Sequence, residues 1–132
     1  MLRLIENLTS FLQSKGLSLL EHRNESSFGD GLWKYVGQVL NARLVIDRGI
    51  GYLEIGQSRD AANTEWYDLS ILKRLMDPSW NGDTMSIEEQ VEFVKQHWDS
   101  LESHFSGGNW SRTKGRLQSL LEERMRRRLK YS

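Results

Sequence analysis

Three kinds of residue in this chain could carry chemistry: a glycine-rich stretch, a pair of spaced histidines, and opposed runs of acids and bases. The stretch "VIDRGIGYLEIGQ", residues 45–57, holds Gly49, Gly51 and Gly56 behind Asp47 and Arg48. A dinucleotide-binding loop needs G-x-G-x-x-G opening a helix after a strand. Here Glu54 stands where the third glycine belongs, and a carboxylate there would repel a pyrophosphate. The residues after Gly51 alternate like a strand. The stretch therefore reads as a β-hairpin, with Gly49 supplying a positive φ.

His97 and His104 lie on one side of an expected helix, but about 10 Å apart at the α-helical rise. That is too far to chelate one ion without further ligands, and His22 is remote in sequence. No metal site is expected. Asp68 and Asp77 flank a helix, while Glu21, Asp47 and Glu54 fall in strands. No G-x-S-x-G occurs and no serine has a nucleophile's context. No catalytic residue and no cofactor are expected.

Charge distribution says more. Residues 83–104 contain six acids and one base, Lys95; residues 111–132 contain eight bases and two acids. Glu88, Glu92, Asp99 and Glu102 form an acidic stripe beside an apolar one, a surface for a basic partner. Arg126, Arg127, Arg128 and Lys130 crowd the end of the last helix, where they could touch phosphates. Both runs also have a plainer explanation. Cations suit a helix C-terminus, and antiparallel helices of opposite charge can neutralise each other. Nucleic-acid binding is the weaker functional reading, because the basic cluster is short, lacks interleaved exposed aromatics and belongs to a chain of zero formal net charge.

The elements that must position these groups read as one α+β domain over residues 1–132. An N-terminal helix carries Leu4, Ile5, Leu8, Phe11 and Leu12 on one face and stops at Gly16. Four short segments, "LSLLEH", "LWKYVGQ", "ARLVID" and "IGYLEIG", with breakers such as "NESSFGDG" between them, predict a four-stranded antiparallel meander. Helices must cover one face of it. After a polar loop over residues 58–65, three C-terminal helices are expected. The first is "WYDLSILKRLMD", with Trp66, Leu69, Leu72 and Leu75 inward, capped by Asp68 or Ser70 and ended by Pro78. The second spans residues 86–106. It opens on the capping box "SIEE" and carries Ile87, Val91, Val94, Trp98, Leu101 and Phe105 as its apolar stripe. The third spans residues 110–129, with Leu117, Leu120, Leu121 and Met125 inward. Trp66 and Trp98 read as core; Trp80 and Trp110, in or beside loops, either plug the core edge or anchor a partner.

A length of 132 residues with 38% hydrophobic and 27% charged residues suits a globular fold with a real core. The absence of cysteine removes disulfides and thiol chemistry and fits a reducing cytoplasm. No signal peptide and no membrane span are read.

In order along the chain stand "DRG" (47–49), "YLEIG" (52–56), "EWYDL" (65–69), "EEQVEFVKQHWDSLESHFS" (88–106) and "NWSRTKGRLQSLLEERMRRRL" (109–129). This order resembles a family of small uncharacterised bacterial proteins, often encoded near secreted or contact-dependent toxins and regarded as immunity proteins. The resemblance implies a non-enzymatic inhibitor that occludes a cognate protein toxin; the chain is expected to be a monomer or homodimer. It transfers no site residues. The expected contacts, Glu88, Glu92, Asp99 and Glu102, come from the charge pattern, since acidic surface speeds encounter with a basic toxin.

Overall fold

The apolar face of the first helix forms as its spacing requires. α1 (Leu2–Ser14) buries Leu8 and Leu12 completely. It ends as a glycine-terminated helix does: Gly16 takes φ +89°, its N–H donates to Gln13 O, and the Leu17 N–H donates to Leu12 O. The computed structural model describes residues 2–24, 30–58, 65–82 and 84–130. Most of the expected 24–31 turn and 58–65 loop, and Asp83, lie outside the described residues.

β1 (Ser18–Asn24), β2 (Gly31–Val36), β3 (Leu40–Asp47), β4 (Ile50–Gln57) and β5 (Tyr67–Asp68) pair antiparallel in chain order. The sheet thus has five strands where four were expected. The fifth comes from the start of the expected "WYDLSILKRLMD" helix. Asp68 accepts the Ile71 N–H as N-cap, so helix begins only at Leu69 and the residues before it remain extended. Tyr67 and Asp68 then pair with Ile55 and Glu54. Asp68 also binds Arg124 with both carboxylate oxygens, at 2.9 and 3.0 Å, tying the last helix to this corner.

The hairpin expected at Gly49 is present. Asp47 pairs with Ile50 across a two-residue turn in which Arg48 and Gly49 have φ of +54° and +80°. Two positive φ values are what a tight hairpin following the strands' twist requires.

Alternation divides the sheet. Tyr35, Ala42, Leu44, Ile46, Leu53 and Ile55 are buried on one face. The other carries a cross-strand row of Glu21, Lys34, Arg43, Glu54 and Asp68. Arg43 pairs with Glu54 at 2.7 Å and lies 4.6 Å over the Trp66 ring. Trp66 is therefore not a core residue, contrary to the expectation from helical spacing. It precedes the helix, stays half-buried and offers its ring to Arg43 and Lys34.

Four helices follow the sheet rather than three: α2 (Leu69–Met76), α3 (Ile87–Gln96), α4 (Trp98–Phe105) and α5 (Trp110–Lys130). The expected 86–106 helix is broken at His97, whose backbone leaves helical geometry at φ −115°, ψ 21°. Its apolar stripe is nonetheless buried from Ile87 to Phe105. The break sets Trp98 edge-on against Phe11 of α1, with ring centres 5.7 Å apart, so packing of the large indole prevails over helix continuity. The capping box is complete, Ser86 and Glu89 each accepting the other's backbone N–H. α1, α2 and α3 lie against the sheet, and α5 packs on α2 and α4. Leu117 is fully buried, but Met125, expected on the same face, is 64% exposed because α5 runs on beyond its support.

Candidate partner-binding groove

The end of α2, fixed by Asp77 and Pro78, stands opposite α3 and α4 and leaves an open groove of about 740 Å³ between them. Met76, Met85 and Phe93 supply apolar lining. Glu89 and Glu92 contribute carboxylates from α3, and Lys73 and Arg116 contribute cations from α2 and α5. Glu89 is held in place by the capping box, and the Ser86 backbone N–H and hydroxyl keep its carboxyl below the usual carboxylate range.

The four acids expected to form one stripe are not equivalent. Glu92 lines the groove and accepts a hydrogen bond from Gln96 Nε2 at 3.4 Å. Glu88, Asp99 and Glu102 lie outside it, and the break at His97 places the latter two on a separate helix. Glu88, Glu92 and Asp99 are exposed and Glu102 is half-buried. Among the described residues none of the four forms an ion pair. No described base of the last helix is thus in direct contact with these acids. α5 spends its guanidinium groups elsewhere, Arg124 on Asp68 and Arg116 on the Leu75 carbonyl at the end of α2.

The two helix histidines do share a wall of this groove, His97 at the break and His104 in the last turn of α4. Among the described residues no three histidine or carboxylate groups cluster as a metal site would require. Burial, helped by the nearby Arg116 charge, pushes His104 below its ordinary value of 6.5. The sign follows from linkage. The unfolded chain binds the proton more readily, so the stabilising preference for neutral imidazole is whole above pH 6.5 and is lost as pH falls through the lower native value. Urea midpoints measured from pH 8 to pH 5 should decline on the acid side, and His104→Gln should flatten that part of the decline.

The four C-terminal bases also separate. Arg127 faces a second groove on the α2 side, Arg128 lines a cavity beside the Gly49 hairpin, and Arg126 and Lys130 are exposed on neither. The sequence reading missed Met76, Met85, Phe93 and Arg116. Phe93 was the available signal, since it lies off the six-residue apolar stripe and so marks a second covered side of α3.

Comparison with known proteins gives no match, whether to a family model, a curated protein or a solved structure. No described helix is long and apolar enough to cross a membrane.

Proposed function

We propose that this chain is a non-enzymatic protein-binding domain, an immunity-type inhibitor that occludes the site of a cognate bacterial toxin. The observation that carries the reading is the acidic side of α3 and α4, whose four carboxylates make no described ion pair, set beside a groove with apolar lining. Glu88 and Asp99 stand in the first turns of their helices, where a carboxylate favours the helix itself. Glu92 and Glu102 have no such role, and Glu92 borders Phe93 and Met85 in the groove. An apolar centre with a charged rim is the ordinary build of a protein interface, and its charge sets encounter rate and partner choice.

The test is charge reversal of Glu88, Glu92, Asp99 and Glu102 to Lys. Coexpressed with the product of the adjacent reading frame, the natural chain should co-purify with it and protect the host. The reversed chain should do neither while keeping its circular dichroism and cooperative unfolding, its melting temperature lowered only by the loss of the two first-turn carboxylates. Normal binding by the reversed chain would sink the assignment of the surface, and failure of the natural chain to bind would sink the immunity reading. The nucleic-acid reading through Arg126, Arg127, Arg128 and Lys130 has less support, since these bases face different directions. Retention on a generic duplex that falls steeply with salt would be needed to restore it.

A further inference from the structure

β5 pairs with Glu54 and Ile55 and reaches no further, so the outer edge of β4 is not covered by a strand from Ile50 to Leu53. On that edge the Leu53 N–H is taken by Gln90. Successive residues of an antiparallel strand turn their N–H and C=O to alternate sides, so Gly51, two positions earlier, turns both groups the same way. They lie outside the β3 ladder, and among the described residues no loop or side chain bonds them. Gly51 is buried, and buried backbone groups are rarely left without a partner.

Gly51 lines a cavity of about 560 Å³ enclosed by the hairpin, the starts of α2 and α3 and the end of α5. Leu69, Met85 and Ile87 give it apolar walls, and Ile50 and Tyr52, which also line it, stay 57% and 47% exposed. Its described lining holds three charged side chains. Two of them, Asp68 and Arg124, bind each other. The third, Arg128, stands one turn further along α5, is exposed, and among the described residues forms no ion pair.

We infer that this notch binds the C-terminal end of an extended peptide whose last side chain is aliphatic. A peptide unit laid along β4 supplies what Gly51 lacks, one acceptor and one donor, as when a strand is added to a sheet edge. The terminal carboxylate answers Arg128, whose guanidinium fork matches two carboxylate oxygens. The aliphatic side chain answers the apolar walls. Other ligands answer fewer of these features. A free amino acid brings an ammonium for which the lining has no unpaired carboxylate, and a simple hydrophobic acid leaves the Gly51 groups unmet. Polyphosphate carries more charge than one arginine balances. Met85 alone lines both this cavity and the groove proposed above, so either site can fail without the other.

A Cβ at position 51 would lie 3.0 Å from Ile87 Cγ1, so substitution there would push α3 off the strand. Gly51 is therefore kept, and its amide serves as the reporter. The experiment is an amide NMR titration of the whole chain with the tetrapeptide acetyl-Ser-Ala-Val-Leu bearing a free carboxylate. The Gly51 amide should shift saturably as it gains a hydrogen bond. The same peptide with an amidated C-terminus should bind about tenfold more weakly, and Arg128→Gln should weaken the free acid as much, the loss expected for a hydrogen bond to a charged group. No saturable shift at Gly51 would overturn the inference, as would equal binding of the amidated peptide or by the variant. Acetyl-leucine binding as tightly as the tetrapeptide would mark a small-acid site instead, and an equally tight peptide ending in glutamate would remove the apolar requirement. A Gly51 shift that grows with protein concentration before peptide is added would make a second copy of the chain the occupant, and would equally overturn it.

Discussion

Replacing Gln90 with leucine should destabilise the fold by about 2–5 kcal/mol, because it strands two backbone groups rather than one side chain. Gln90 is 7% exposed on the inner side of α3. Its Oε1 accepts the Leu53 N–H of β4 at 2.8 Å, and its Nε2 donates to the Met85 carbonyl at 2.9 Å. Each backbone group left buried without a partner costs about 1–3 kcal/mol, and leucine has the right bulk but no atom to offer either. Urea unfolding would measure the loss. Amide exchange would locate it, with the Leu53 N–H the first interior amide of β4 to lose protection. A variant within 0.5 kcal/mol of the natural chain, about the scatter of surface substitutions, would mean that these bonds are readily replaced by water.

Phe105→Ala should cost about 3–5 kcal/mol, the range for removing a large aromatic from a packed interior. Phe105 is fully buried at the end of α4. Its ring stacks on Trp110 at 5.0 Å and meets Tyr67 at 6.4 Å, and Trp110 closes the triangle on Tyr67 at 6.0 Å. Three elements converge there: β5, α4 and the first turn of α5. Truncation opens a cavity shared by all three, and the indole of Trp110 becomes wetter. Denaturant titration should show the lost stability, and native-state fluorescence should shift to the red. An unshifted spectrum with full stability would place the packing elsewhere.

These two residues mark how far the sequence was legible. Phe105 belongs to a stripe recurring at steps of three and four, and every member of that stripe is buried. Periodicity carries such information because burial of one helix face is a local matter. Gln90 lies beside the stripe, and its role depends on where β4 happens to pass, which no spacing encodes. Trp66 was misplaced for a related reason. It matched the helical period, yet the capping carboxylate at Asp68 sets the helix start, and the preceding residues were free to join the sheet. The break at His97 has no glycine or proline to announce it; it follows from fitting Trp98 against a helix 87 residues upstream at Phe11. The candidate surfaces were legible as composition, acids before bases, but not as geometry. Bending at His97 divided the acids, and successive positions on α5 sent neighbouring arginines to different grooves.

The order of the strands has a bearing on how the molecule assembles. Each strand pairs with the one made just before it, and the β3–β4 connection is only two residues long. Closing that short loop costs little chain entropy, so the β3–β4 ladder can form early and offer an edge to its sequence neighbours. The slower step is then the meeting of distant helices, α1 with α3 across the finished sheet and α2 with α5 behind it. The rate of folding should be governed by that sealing event, with the sheet serving as a template already laid down.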